Sequence, residues 1–320
     1  MFEKLGMPVF IMRAKGESAP RSPFLEALLF CLVFLVGSTV QSILLFPFLF
    51  TEILRQLPRM MEVSASGDIT ALIALSEEIS SSVLGIIGTL FSTAGLVLVV
   101  ILYCRLIEKR SFASLGFIRP FWREYLTGLL GGLVLFGLCL VFSLLFGKLT
   151  FTGISERLNP GLLLLFFFGF LLQGFAEELL CRGYLMASLS REVPLPVALI
   201  ASSVIFSLLH TANRGFNLLS MLNVFLFGLA AGIYMIRRGS IFGAAAMHGI
   251  WNFAEGCLCG LPVSGLTVPA ALFGYSADEA SVFVSGGAFG PESGLAATFA
   301  LSLGIVIFLM CKNKKTRTEL

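Results

Sequence analysis

"FFFGFLLQGFAEELLCRGYLMASL", residues 166–189, is apolar and long enough to cross a bilayer, yet it holds Glu177, Glu178 and Arg182 within little more than one helical turn. A helix needs about 20 apolar residues to span the hydrocarbon core. Ionisable side chains at that depth are costly, and they persist where they pair or face a bundle interior or a water-filled cavity. The stretch therefore predicts a membrane helix whose polar face turns toward other helices rather than toward lipid.

The remainder of the chain agrees. Of 320 residues, 57% are hydrophobic and only 13% charged, against roughly 25% charged in a soluble domain. Apolar segments fall at 24–50, 83–104, 125–147, 160–188, 195–211, 216–236, 240–263 and 293–311. Together they predict an all-α polytopic membrane helix bundle with about eight transmembrane helices. Basic residues gather at alternate ends: Lys4, Arg13, Lys15 and Arg21; Arg105, Lys109, Arg110, Arg119 and Arg123; Arg191; Arg237 and Arg238; Lys312, Lys314, Lys315 and Arg317. The intervening loops are acidic or nearly neutral, with Glu62, Asp68, Glu77 and Glu78 in one and Asp278, Glu279 and Glu292 in another. By the positive-inside rule both termini are expected in the cytoplasm, and loops 51–82 and 264–292 outside. No cleavable signal peptide is expected, because the first apolar stretch is far longer than a signal core.

Other features carry less. The seven cysteines include five in or beside apolar segments, where cysteine packs as a small hydrophobe, and the C-x-C pair Cys257/Cys259 is also read as packing. Gly128/Gly132 and Gly228/Gly232 have the spacing of close helix contacts. No inverted repeat of the transporter kind is visible, and nothing suggests a nucleic-acid partner.

Within the polar turn, Glu178 and Arg182 are i,i+4 and can pair. Glu177 points about 100° away; its i+4 neighbour is Cys181, and Gln173 shares its face one turn earlier. One carboxylate is thus neutralised and one left free, which suits a general base or a proton carrier. The chain has two histidines, both in apolar segments: "FSLLH" ends in His210 with Phe206 on the same face, and "HGIWN" starts at His248 with Asn252 on the same face. Three helices can bring these groups together, with a carboxylate to deprotonate water and imidazole and amide N–H groups to hold an oxyanion.

In order and spacing, "EELLCR", "FSLLH" and "HGIWN" resemble the EExxxR, FxxxH and HxxxN motifs of the CPBP (CAAX protease and bacteriocin-processing) family, also called the Abi family, over about residues 160–256. That family includes the Ras-converting CAAX endopeptidase. The loop "GGAFGPESG" also resembles its bacterial members. The resemblance implies an intramembrane endopeptidase of a bacterial plasma membrane, acting on a membrane-associated peptide or protein within the lipid bilayer. Glu177 would activate water with His210, His248 and Asn252 would form the oxyanion hole, and Glu178 and Arg182 would orient the first carboxylate. The family's glutamate-dependent mechanism needs no structural metal. HExxH is absent, but Glu177, His210 and His248 could still make a three-ligand zinc site with an open position. A proton-coupled transporter and a non-catalytic bacteriocin self-immunity protein on the same fold remain the alternatives.

The corresponding division is a cytoplasmic segment 1–22, N-terminal transmembrane helices 23–155, a catalytic core 156–263, and an external loop with the last helix and basic tail, 264–320. Two points stay open. Glu255, on the face of His248 and Asn252, either lines the cavity mouth or sits at the membrane interface. Strict alternation also puts Glu177 roughly 25 Å into its span while His210 ends its own near the opposite surface, so straight helices of equal length would keep them apart.

Overall fold

The computed structural model describes residues 7–146, 149–277 and 282–311. Lys4, Asp278, Glu279, Lys312, Lys314, Lys315 and Arg317, all used above to orient the chain, lie outside the described residues. The molecule is a helix bundle, and each of the eight apolar segments forms a helix. They are α2 (Pro23–Ser66), α4 and α5 (Val83–Ser92, Ala94–Leu102), α6 (Phe121–Leu145), α7 (Pro160–Glu178), α9 (Leu195–Leu209), α10 (Leu218–Arg238), α11 (Ile241–Phe253) and α13 (Leu295–Met310). Short helices α1 (Val9–Glu17), α3 (Ile69–Ser80), α8 (Ala187–Leu189) and α12 (Val282–Ser285) complete the set. Among the described residues, five continuous helices are long and apolar enough to cross a membrane; those at Leu195–Leu209 and Leu295–Met310 are apolar but shorter.

Large apolar side chains point outward as well as inward. Leu28, Leu32 and Leu35 on α2 and Leu126, Leu130 and Val134 on α6 are exposed, as a surface bathed in lipid requires. The centre is α11, buried along Ile241–Asn252 with only Phe242 partly open. Small residues allow the backbones to close on it. A β-carbon on Gly174 of α7 would stand 2.6 Å from Gly249 N, and one on Gly249 would stand 2.7 Å from Phe170 O. The predicted close contacts are present too: Gly128 and Gly132 of α6 meet Gly243 and Met247 of α11, and Gly228 and Gly232 of α10 meet Ser203 and Leu199 of α9.

The described parts of segments 51–82 and 264–292 hold regular structure. Residues 51–66 continue α2, which at 44 residues runs about 66 Å. Its sequence stops being apolar near residue 50, but Glu, Leu, Arg, Gln and Met keep it helical. Gly67 ends it in the left-handed region at φ 69°, and Asp68 caps α3 by accepting from Ala71 N at 3.0 Å. Helix α3 folds back along α2, with Arg59 donating to Glu78 at 2.8 Å. The segment before α7 and the loop after α11 pair as a small antiparallel ribbon, β1 (Leu149–Ile154) with β2 (Phe273–Ala277), with a bulge between Phe151 and Gly153. Among the described residues of that loop, Val268, Ala270, Ala271 and Phe289 are buried against the bundle.

At the opposite, arginine-rich end, the basic residues used to orient the chain are partly structural. Arg110 is fully buried and bonds Ser188 Oγ at 2.9 Å, Ser114 O at 2.9 Å and Glu108 at 3.2 Å. Arg191 pairs with Glu26 and, at 3.4 Å, with Glu108, which Arg21 also meets. Glu17 of α1 accepts from Ser111 N at 2.7 Å. This network ties α1, the start of α2, the 108–114 turn and the end of α8 into one plate.

Candidate active site

Helix lengths resolve the depth conflict. Helix α7 continues through a π turn (Leu179–Met186) into α8, giving one 30-residue helix, Pro160–Leu189, about 45 Å long. Helix α9 has only 15 residues, about 22 Å, and starts from the turn that follows Leu189. It therefore stops level with the middle of the long helix, where His210 ends it. Helix α11 starts with Ile241 packed at Gly183 of the same long helix, which lifts His248 and Asn252 to that level. The apolar stretch 195–211 predicts a full span; α9 has 15 residues, and that shortness lets His210 face Glu177.

All the motif residues meet there. Glu177 Oε2 lies 3.8 Å from His210 Nε2 and 3.7 Å from His248 Nε2. Both separations exceed a direct hydrogen bond and suit an intervening small oxygen species. The other oxygen, Oε1, accepts from Gln173 Nε2 at 2.7 Å, and Gln173 Oε1 accepts from Asn252 Nδ2 at 2.9 Å. His210 Nδ1 is 2.8 Å from Phe206 O. A carbonyl only accepts, so Nδ1 carries a proton, and Nε2 faces Glu177.

Glu178 and Arg182 form the expected pair at 3.0 Å, with no exposed surface on either side chain. The carboxylate holds His248 rather than Glu177: Glu178 Oε1 is 2.9 Å from His248 Nδ1. Arg182 also lies over the Phe206 ring, 4.3 Å from its centroid, a cation–π contact that ties α9 to the long helix. Phe206 and Phe227 set their rings at 62° to the imidazoles, with centroids 4.7 Å from His210 and 4.8 Å from His248.

A cavity of about 410 Å³ opens onto this floor. Its walls come from Phe34 and Gln41 of α2, Thr93 where α4 meets α5, Phe170 of α7, and the 263–266 turn. Glu177 and His210, with side chains 24% and 13% exposed, face it, while His248 is almost closed off at 5%. A second space of about 10 Å³ lies behind the imidazoles, bounded by Gln173, His210, His248, Asn252, Ser264 and Glu292; it is near the size of one water. Among the described residues, no group of three or more His, Cys, Asp or Glu side chains is placed to hold a metal ion.

Two groups escaped the sequence. Gln173 shared the face of Glu177 but had no assigned role, and its second contact needs α11. Glu292 was read only as an outer-loop charge. Its carboxylate accepts from Ser264 N at 2.8 Å and from Ser264 Oγ, and its carbonyl accepts from Asn223 Nδ2 at 2.8 Å, so the loop closes one side of the site. Nothing in the linear sequence signals a contact between elements so far apart. Glu255 is at neither predicted place. It is fully buried, accepts from Trp251 Nε1 at 3.0 Å, and lies against Gly290, whose φ of 107° a side chain would strain. Burial behind the loop removes it from both the cavity mouth and the lipid interface.

The fold and site define a multi-pass membrane protein that assembles a carboxylate, two imidazoles and two amides inside a helix bundle. Residues 159–254 match the model of the Rce1-like type II CAAX prenyl endopeptidase family. The resemblance carried by the three motifs is borne out over that stretch, which contains Gln173, Glu177, Glu178, Arg182, His210, His248 and Asn252. No curated protein and no solved structure matches the chain.

Proposed function

We propose that the protein is an intramembrane endopeptidase that hydrolyses a peptide bond of a membrane-associated peptide or protein. The observation carrying this reading is the convergence of both histidine Nε2 atoms on one oxygen of Glu177 at the floor of a mostly apolar cavity. A substrate segment in that cavity would present a carbonyl to the floor. Water between Glu177 Oε2 and His210 Nε2 loses a proton to the carboxylate as its oxygen attacks the carbonyl carbon. The oxyanion is held by Asn252, which has one N–H left after bonding Gln173, and by His248 Nε2–H. Glu178 takes the Nδ1–H of His248 at 2.9 Å, and with a proton on each ring nitrogen Nε2 donates to the oxyanion. The proton on Glu177 then passes to the leaving nitrogen, the C–N bond breaks, and the carboxylate is restored.

In this reading residues 156–263 form the catalytic core, the arginine-rich end faces the cytoplasm, and the protein resides in a cell membrane. The route uses side chains alone. Glu177→Ala, His210→Ala and His248→Ala are each expected to abolish cleavage of a membrane-anchored reporter peptide while leaving the melting transition in detergent within a few degrees of wild type. Cleavage is expected to persist in excess chelator. Full activity in any one variant contradicts its assigned role, and loss in chelator with recovery on added zinc contradicts the metal-free route.

A further inference from the structure

Gln173 lies four residues before Glu177 on the same face of α7, with α11 across from it. Its amide is spoken for at both ends: Nε2 donates to Glu177 Oε1 at 2.7 Å, and Oε1 accepts from Asn252 Nδ2 at 2.9 Å. The carboxylate oxygen fixes the orientation of that amide, because it can only accept from Nε2. That leaves Oε1 toward Asn252, which must then present its nitrogen rather than its oxygen. Asn252 Oδ1 has no partner and is buried, so Gln173 alone decides which way the Asn252 amide is turned. The same bond sorts the two oxygens of Glu177: Oε1 is tied down, and Oε2, buried without a hydrogen-bond partner, is the one left to face both imidazoles.

We propose that Gln173 is a positioning residue that couples the water-activating carboxylate to the oxyanion-binding amide, holding Glu177 Oε2 and the free Asn252 N–H at a fixed separation. The proposal rests on the endopeptidase reading and deepens it. Gln173 lines both the large cavity and the one-water space behind the imidazoles, so it stands at the seam between the substrate's space and the site's interior. Close approach of Gly174 to Gly249 next to it keeps the gap between the two helices short enough for one side chain to bridge. Without the bridge, Glu177 can turn either oxygen inward and Asn252 can present an acceptor to a developing negative charge. Both errors act on the transition state more than on substrate binding.

The test compares Gln173→Met, Gln173→Asn, Asn252→Ala, Glu177→Ala and the Gln173→Met/Asn252→Ala double variant in reporter cleavage. Methionine keeps the length without the polar ends; asparagine keeps the amide one methylene short of both partners, and decides the matter if the methionine variant fails to fold. Expected is a fall in kcat of about 10²-fold, of the size seen on losing one oxyanion donor, with KM changed less than about threefold because uniform binding is untouched. The double variant is expected to be no slower than Asn252→Ala by more than a few fold, since residues acting as a unit are not additive. Wild-type kcat in both Gln173 variants, or a double loss equal to the product of the single losses, overturns the proposal. If Glu177→Ala still cleaves, the endopeptidase reading fails; if it is dead while both Gln173 variants are fully active, only the bridging role fails.

Discussion

Arg182 and Glu178 are fully buried, and their pairing is what makes two charges tolerable there. Glu178 Oε1 serves Arg182 and His248 at once, while its second oxygen has no partner. Removing the guanidinium leaves a buried carboxylate with only an imidazole beside it, a change that costs about 3–5 kcal/mol in comparable buried pairs. Arg182→Met is therefore expected to lower the melting temperature in detergent by many degrees. Arg182→Met/Glu178→Met, which removes both charges, should recover much of the stability without recovering cleavage, because His248 loses its Nδ1 partner. Equal instability of the single and double variants would contradict the pairing. At this scale much is legible in the sequence: i,i+4 spacing separates Glu177 from the Glu178–Arg182 pair. The contact of Glu178 with His248 of α11 lies beyond its reach, because no spacing rule extends from one helix to another.

Between elements, the site depends on where α7 and α11 touch. Gly174 and Gly249 bring the backbones together beside Gln173, Glu177, His248 and Asn252. A valine at position 249 would collide with Phe170 O and Leu171, and overpacking of this kind costs about 1–3 kcal/mol. Gly249→Val is expected to keep the protein in the membrane yet abolish reporter cleavage, since separation by even about 1 Å costs catalysis heavily. Gly131→Val, where a β-carbon meets nothing within 4 Å, serves as the control and should cleave normally. Activity in Gly249→Val would show that the close crossing is dispensable. Element identity was legible from apolar length, yet element extent was not. The end of apolar sequence near residue 50 did not end α2, whose polar continuation keeps strong helix formers. The 15 residues of α9 looked like a span until its neighbour proved twice as long.

Across the whole molecule, the arginine-rich end is a buried charge network some distance from the site. Burial alone would push the Glu108 carboxyl up, but Arg110, Arg191 and Arg21 hold it below the ordinary carboxylate range. A carboxyl depressed on folding stabilises the protein above its unfolded pKa of about 4.3. That contribution is lost as pH falls from there through the lower folded value. Melting temperature in detergent is expected to hold from pH 7 to about 5 and to fall steeply below about 4.3. Glu108→Gln should be less stable at neutral pH and show a shallower acid fall; an unchanged acid slope would contradict the role of Glu108. The sequence placed these arginines at one end correctly as a group, but not as ion-paired plates, since their partners Glu26 and Glu108 are remote in sequence and were unremarkable there. For the same reason Glu292 looked like a loop charge: its place at the site depends on contacts with Ser264 and Asn223, both remote in sequence.

The most direct measurement compares the membrane peptidome of cells carrying the wild-type protein with that of cells carrying Glu177→Ala at equal abundance. A peptide terminus that appears only with wild type, and that maps to a membrane-associated segment, is the predicted result, and it reports reaction and substrate together. Identical peptidomes, with both proteins folded and in the membrane, would contradict proteolysis at Glu177.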